Sequence, residues 1–532
     1  MSFQIFAPNG VDSYKIGHRP MYTPGTETIL SNFTPRSDRI FVSSITSDVA
    51  RFYDNRVVFF GLQGALKEIT EIWDETFFSK PRDVVCRKYA RRIAPFVGGM
   101  KVDVTHFEEL HAYGRLPLTV RALPEGSRVN LGIPVFTVHE SHRDFFWIVN
   151  YLETWLSNEV WKKCTIATIA HTYRRILKAF ALRTGSPMDF VNWQGHDFSC
   201  RGQSGMYDAA SNSSGHLTSF MGTDTLSAVD YLEYAYDGEL TFVGGSVPAT
   251  EHSVATLDGI EGEFELFKRL ITEVVPTGIV SLVSDGFDYW KVLTEFLPKL
   301  KDAILAREPD AMGFSKVVIR PDSGDPVKIV TGYMPNEYAI INEVSGDRFV
   351  CRETGKDLTR AEVDGSISVL WDIFGGTTTS TGHKLLDSHI GLIYGDSITL
   401  DRMVKILDRL CLKGFASANI VFGIGSYTYQ HITRDTFGFA MKATFAKVNG
   451  QNRNVFKEPK TDGGSKKSAR GKLVVVKCDT YREVYELIQE ADVPLDNETP
   501  HGLLYPVLKD GIVNPVETIE GIRLRLDPKF YG

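Results

Sequence analysis

The chain has 532 residues and a formal net charge of −7. That is too long for one hydrophobic core, since single cores stop growing at roughly 250–300 residues, so length predicts about three domains or one large α/β barrel with additions. With 43% hydrophobic and 23% charged residues the chain is not disordered, and its acidic balance excludes a global basic field for holding nucleic acid.

In chain order, Met1 to Lys15 carries Pro8, Gly10 and Asp12 and lacks the basic and apolar regions of a signal peptide. No run approaches about 18 apolar residues, so no membrane span is expected. Within 57–73, Leu62, Ala65, Leu66, Ile69, Ile72 and Trp73 fall at helical spacing. Residues 118–123 and 135–138 read as strands around the Pro124-Glu-Gly126 turn, and 144–184 as a long amphipathic helical stretch. The first third, 1–180, is therefore expected to be mixed α+β.

From there the grammar changes. Short apolar runs recur, each ending in small or acidic residues and leading into a helical stretch: Leu217–Met221, Thr241–Val243, Ile279–Val283, Val317–Ile319, Leu392–Tyr394 and Ile420–Phe422. Such runs suit parallel strands buried on both faces, and strand–loop–helix repetition is that of a (β/α) barrel, whose chemistry sits in the loops after the strands. The core is placed at 181–435. Residues 327–390 read as an insertion, with Glu343–Gly365 expected as a hairpin. The C-terminal segment 436–532 is expected to pack with the N-terminal part. It opens with a Lys-rich stretch, 450–472, holding Lys457, Lys460, Lys466, Lys467, Arg470 and Lys472, and continues as short strands and a helix.

Six cysteines at 86, 164, 200, 351, 411 and 478 form no CxxC pair. That argues against a zinc ribbon or a disulfide scaffold and for a reducing, cytoplasmic compartment. His106, His111, His139 and His142 lack partner ligands at metal spacing and are read as structural or exposed.

Three strings carry chemistry. In Arg320-Pro-Asp322-Ser-Gly324, Pro321 holds Arg320 extended and ends the strand, so Arg320 and Asp322 share one loop. Arginine forks two hydrogen bonds to phosphate, and aspartate accepts from a sugar hydroxyl or a Mg2+ hydration shell. The bland reading is a surface pair in a turn. Gly423-Ile-Gly425-Ser426 follows a strand, with a helix expected from Thr428; it is neither GxGxxG nor a Walker loop. Glu251-His252-Ser253 offers a general base, a nucleophile or a phosphoryl acceptor, with Asp285 as the carboxylate that would orient its ring. The bland reading there is a satisfied structural histidine.

Together with Asp12-Ser-Tyr14-Lys15, Phe60-Gly-Leu-Gln63, His196-Asp-Phe198, Arg201-Gly202, Gly222-Thr-Asp224-Thr225, Ser246-Val-Pro248, Ser284-Asp285, Gly395-Asp396, Thr433-Arg434-Asp435 and Asn454-Val-Phe-Lys457, the first and third of these strings give the chain a family resemblance. It resembles the nicotinamide phosphoribosyltransferases, of the type II phosphoribosyltransferase family, across nearly its whole length. The resemblance implies an irregular α/β barrel with a mixed α+β domain built from both chain ends. It also implies a homodimer with active sites at the interface. The implied activity is phosphoribose transfer from phosphoribosyl pyrophosphate to nicotinamide, within NAD salvage.

By matching position, Phe198 and a partner-supplied Tyr14 would sandwich the pyridine ring, with Arg201 and Ser281 nearby, and Asp224 would accept from the carboxamide. His252 would be phosphorylated by ATP and held by Asp285. Arg320, Ser323, Gly395, Asp396, Gly425, Ser426 and Arg434 would cradle the phosphoribosyl group. Asp322 would meet ribose or Mg2+–pyrophosphate. Arg36, Lys442 and Lys457 would contact pyrophosphate or ATP. Mg2+ would arrive on pyrophosphate rather than on protein ligands. The chain departs from the family's glycine run at Ser426-Tyr427, where Tyr427 is expected to narrow the phosphate loop.

The nearest alternative is nicotinate phosphoribosyl transfer on the same fold, and position 224 discriminates. A carboxylate there accepts from an amide but repels nicotinate's own carboxylate. At ~4 Å and an effective dielectric near 20 that repulsion is about 4 kcal/mol. A non-catalytic binding protein on this scaffold and a metal-dependent barrel hydrolase are the other readings. The full set of polar site positions argues against the first, and the missing His-x-His against the second.

Overall fold

Two sheets of opposite grammar divide the chain between them. The computed structural model describes residues 4–343, 346–458, 468–481 and 483–531. Lys460, Lys466 and Lys467 lie outside the described residues.

The first sheet draws on both chain ends. Its seven strands run in the order Gln451–Asn454, Ala440–Val448, Thr26–Thr34, Phe136–Glu140, Leu118–Ala122, Tyr505–Lys509 and Ile512–Val513, all antiparallel. Thr26–Thr34 thus joins the N-terminal part to a strand more than 400 residues later, in the register Thr34↔Ala440. Phe33 cements that junction, stacked on Phe136 (4.9 Å) and Phe439 (5.2 Å).

The second sheet has six parallel strands, in the order Gly222–Thr223, Gly195–Asp197, Ile420–Ile424, Ile390–Tyr394, Val317–Arg320 and Val280–Val283. Val280–Val283 and Ile390–Tyr394 are buried at every position, as their mostly apolar runs predict. Its edge strands are linked by the run 245–249, through single bridges at Gly222↔Gly245 and Ala249↔Ser281. Pro248 has no N–H to donate, so the run cannot complete a ladder and the barrel is irregular there.

Two expected strands are corrected. Leu217 closes the helix Met206–Leu217, and the strand begins only at Gly222. Residues 241–243 form no strand, because Phe242 points to solvent and only Val243 turns inward. In exchange, Gly195–Asp197 is a barrel strand that apolar patterning misses, since its burial is satisfied by hydrogen bonds rather than by hydrocarbon.

The long helix is real. Glu153–Thr184 runs 32 residues and stops at Gly185, whose φ of 65° only glycine adopts readily. It packs against Met206–Leu217 and Leu62–Trp73. One continuous apolar core extends from Phe33 and Val120 in the antiparallel sheet to Val280 and Ile319 in the barrel.

Within 327–390 the hairpin begins at Tyr338, earlier than expected: Tyr338–Glu343 pairs with Gly346–Cys351. Arg360–Asp364 is helical, because Thr359 and Glu362 form a capping box. The region is anchored by Glu337, which takes a bidentate pair from Arg409 (2.9 and 2.7 Å) and a hydrogen bond from the Met334 backbone N–H (2.7 Å).

Candidate active site

Parallel strands end on one side, so the six barrel loops converge. They carry Phe198 and Arg201, Asp224, Asp285, Arg320 with Asp322 and Ser323, Gly395 with Asp396, and Gly425 with Ser426. His252 reaches the same face just beyond the irregular run 245–249, as the first residue of the helical turn His252–Ala255.

Phe198 is held by its backbone and its ring. Its N–H donates to Ile424 O at 2.9 Å. Its ring lies so close to Gly395 and Gly423 that a Cβ at either position would fall 2.7 and 2.3 Å from ring carbons. Those two glycines are therefore required by close approach rather than by a turn. The result is a half-buried aromatic face at the barrel mouth.

Asp224 sits beside it, at the end of Gly222–Thr223. His196 Nε2 donates to Asp224 Oδ1 at 2.9 Å, and Ser246 Oγ donates to the same oxygen at 2.5 Å. No described residue donates to Oδ2. Burial opposes ionisation, but the His196 hydrogen bond and charge, Ser246 and Arg320 outweigh it and hold the Asp224 pKa below the ordinary carboxylate value. The group is thus a carboxylate with one oxygen committed and one available. His196 and Ser246 were not singled out as site residues from sequence, although both stand in strings that carried the resemblance.

Asp285 is the second fixed carboxylate. His252 Nε2 donates to its Oδ1 at 3.1 Å, and the Asp322 backbone N–H donates to its Oδ2 at 2.9 Å. Its side chain is almost wholly buried while that of His252 is half exposed. A buried acid therefore orients an accessible imidazole and the 320–324 loop together. Asp285, Asp322, Asp396 and Asp325 all lie near Tyr394; with burial as the main cause they raise its pKa. The Tyr394 hydroxyl donates to Ser323 O (3.0 Å) and Gly324 O (2.9 Å), tying the Arg320 loop to the Asp396 loop.

Cationic donors face the same mouth. Arg320 Nε is buried and bonds to no described residue, and Arg201 is exposed without an ion pair to a described residue. Ser281 lies inward on Val280–Val283, and its hydroxyl donates to no described residue. The helix after Ile420–Ile424 starts at Ser426 rather than at Thr428 and spans only Ser426–Gln430. The Tyr427 ring lies exposed against His431, at 4.6 Å, and so does not narrow the loop as expected.

A second cluster gathers where the antiparallel sheet meets the barrel. Lys442 lies 3.9 Å from Glu153 and near Arg36, Lys15 and Arg434; burial, chiefly, outweighs the attraction of Glu153 and, with those three charges, lowers its pKa. Lys15 itself pairs with Glu153 at 2.7 Å. Lys15 was not singled out as a site residue; it lies in the helical turn Ser13–Gly17 and meets Lys442 through their common partner Glu153. Tyr14 is exposed beside His18, and within the chain it does not touch Phe198. Lys457 is exposed just beyond Gln451–Asn454 and contacts neither group; its backbone N–H donates to Ser468 Oγ at 2.8 Å. Among the described residues no set of three or more His, Cys, Asp or Glu side chains is placed to hold a metal ion. No described helix is long and apolar enough to cross a membrane.

An aromatic face beside a half-committed carboxylate, an acid-oriented histidine and two groups of cations suit a planar amide-bearing ring and a phosphate-rich partner. Residues 193–492 match the model of the nicotinate phosphoribosyltransferase (NAPRTase) family. Over 529 residues the chain is 47% identical to a nicotinamide phosphoribosyltransferase of Acinetobacter baylyi, covering 99% of this chain and 98% of that one. It is 32% identical over 469 residues to a nicotinamide phosphoribosyltransferase of Mycoplasma pneumoniae, covering 85% and 92%. Among solved structures, nicotinate-nucleotide pyrophosphorylase from Pyrococcus furiosus matches with a TM-score of 0.55 at 15% identity, over 100% of this chain and 98% of that one. Human nicotinic acid phosphoribosyltransferase matches with a TM-score of 0.53 at 15% identity, over 97% and 92%. At that identity these two structures speak to the fold alone.

Proposed function

Because this chain belongs to the nicotinate phosphoribosyltransferase family, we propose that its barrel mouth is a pentosyltransferase site that moves phosphoribose from phosphoribosyl pyrophosphate to nicotinamide. The observation that carries the choice of base is Asp224: an ionised carboxylate with Oδ1 taken by His196 and Ser246 and Oδ2 unused. It accepts a carboxamide N–H and repels a carboxylate by about 4 kcal/mol at ~4 Å. The shared name of the curated relatives points the same way.

In the reaction the pyridine nitrogen forms a bond to ribose C1, and the C1–oxygen bond to pyrophosphate breaks, its electron pair leaving with pyrophosphate. Nicotinamide mononucleotide is the product, and the step serves NAD salvage. Phe198 presents one face to the ring and fixes the attack angle. Arg320, Ser323, Gly395, Asp396, Gly425, Ser426 and Arg434 cradle the ribose and its phosphate, and Arg201 and Ser281 flank the base. Arg36 and Lys442, with Lys15 beside them and Lys457 further out, neutralise the leaving charge. Mg2+ arriving with pyrophosphate would supply further neutralisation, and Asp322 and Asp396 would be available to its hydration shell. The acidic surround of Tyr394 fits that role.

His252 is proposed as the acceptor of the ATP γ-phosphoryl group. With Nε2 donating to Asp285, Nδ1 carries the lone pair that would form the P–N bond as ADP leaves. The exposure of Tyr14, away from Phe198, supports a homodimer in which a second copy supplies the other face of the base slot. A cytoplasmic setting accords with six cysteines and no CxxC pair.

One assay tests the core of this reading: phosphoribosyl pyrophosphate with nicotinamide or nicotinate, with and without ATP. Nicotinamide mononucleotide formation, stimulated by ATP, is expected. Preferential turnover of nicotinate moves the assignment to the acid, and no nucleotide from either base overturns it.

A further inference from the structure

Lys162 lies in the first third of the Glu153–Thr184 helix, with its side chain 11% exposed. An ammonium has three N–H donors, and here each has a partner on another segment or loop. Nζ donates to Asp208 Oδ2 at 2.6 Å, Gln430 Oε1 at 2.5 Å and Gln203 Oε1 at 3.2 Å. The acceptors are themselves tied together. Asp208 Oδ2 also accepts the Ser204 N–H at 2.9 Å, and Gln430 Nε2 donates to Ser204 Oγ at 2.6 Å. Gln203 Nε2 donates to Ser199 Oγ at 3.0 Å.

These contacts join two loops from neighbouring barrel strands. One follows Gly195–Asp197 and carries Arg201; the other follows Ile420–Ile424 and carries Gly425 and Ser426. The loops meet so closely that a Cβ on Gly202 would fall 2.0 Å from Ser426 Oγ. Beyond the strand ends no ladder fixes their spacing. The helix Ser426–Gln430 is a single short turn, and the residues there are not a glycine-rich run that could shape itself around a phosphate.

We propose that Lys162 is a positioning residue for the phosphoribosyl subsite, setting the gap between the Arg201 loop and the Ser426 turn from behind. The proposal rests on the functional reading given above. It separates the two substrates. Phe198 is held independently, by the ladder bond to Ile424 O and by contact with Gly395 and Gly423, so the base slot does not depend on Lys162. The Ser426 turn is also held by Thr428, whose hydroxyl donates to Ile398 O at 2.9 Å, and by Tyr429, whose hydroxyl lies 2.7 Å from His216 Nδ1, but neither contact reaches Arg201.

The test is steady-state kinetics of the full-length Lys162→Met and Gln430→Leu variants, with folding checked by thermal melting. Both are expected to raise the KM for phosphoribosyl pyrophosphate at least about tenfold while the KM for nicotinamide changes less than about twofold. Lys162→Met leaves Asp208 without its buried partner and so risks misfolding. Gln430→Leu cuts only the arm to the Ser426 turn and decides the matter in that case. Unchanged KM values in the folded variant, or equal rises for both substrates, overturn the positioning role. Absence of nucleotide synthesis by the unsubstituted protein instead overturns the functional reading on which it rests.

Discussion

His252 Nε2 stands 3.1 Å from Asp285 Oδ1, and the other oxygen of that carboxylate holds the Asp322 backbone N–H at 2.9 Å. One buried acid thus connects the candidate phosphoryl acceptor to the loop that carries Arg320 and Asp322. Asp285→Asn cannot serve both donors, because one acceptor becomes an NH2 group. The ATP-stimulated part of nicotinamide mononucleotide synthesis is expected to fall about 10²-fold, the size of a typical general acid–base contribution, and the ATP-independent part much less. Initial rates with and without ATP check this; equal losses in both would detach Asp285 from the histidine chemistry.

Asp224 tests the choice of base. Asp224→Ser removes the charge and the free Oδ2. Loss of one charge-assisted hydrogen bond is worth about 1.5–3 kcal/mol, so kcat/KM for nicotinamide is expected to fall roughly 10- to 150-fold. The penalty against nicotinate is relaxed at the same time. The measurement is the ratio of kcat/KM for the two bases, and an unchanged ratio would refute the role assigned to Asp224.

Gly423 tests the aromatic slot. In Gly423→Ala the new methyl meets the Phe198 ring at 2.3 Å and the Gly395 backbone at 2.8 Å, so something must shift. A cost of about 1–3 kcal/mol in stability is expected from overpacking, with a raised KM for nicotinamide because the ring turns out of its slot. Thermal melting and base titration read the two effects separately. A normal nicotinamide KM would mean that Phe198 does not present the base.

Glu337 tests the anchor of the insertion. The Arg409 pair, chiefly, lowers its pKa to about 2 from an ordinary 4.5. Because the folded value is depressed, its contribution is complete above pH 4.5 and disappears as pH falls through about 2. Glu337→Gln removes that dependence and is expected to cost about 1–2 kcal/mol after solvent screening. Hydrogen exchange of the Tyr338–Cys351 hairpin should quicken in the variant at neutral pH and converge with the parent protein near pH 2. Equal exchange at neutral pH would show that the hairpin is held elsewhere.

Legibility followed chemistry. Val280–Val283, Val317–Arg320 and Ile390–Tyr394 were readable as barrel strands because largely buried parallel strands are written as short, mostly apolar runs. Gly195–Asp197 was not, because His196 and Asp197 are buried through hydrogen bonds, and hydropathy does not register those. Thr241–Val243 misled for the converse reason: three strand-forming residues mean little when Phe242 faces solvent. Asp224, His252 and Asp285 were named from their strings, but the partners of Asp224 were not, since His196 and Ser246 lie 28 and 22 residues away from it.

By itself the sequence determined the class of the fold, the family and the inventory of groups at the mouth, because apolar periodicity and motif order are local properties of the chain. Only the tertiary structure decided which groups share a proton or a charge. His196 and Ser246 commit one oxygen of Asp224, Asp285 serves two loops, and Lys15, Arg36, Arg434 and Lys442 gather although the net charge is −7. Hydrogen bonds and burial act over a few ångströms, and residues hundreds of positions apart come within that range only once the strands are paired.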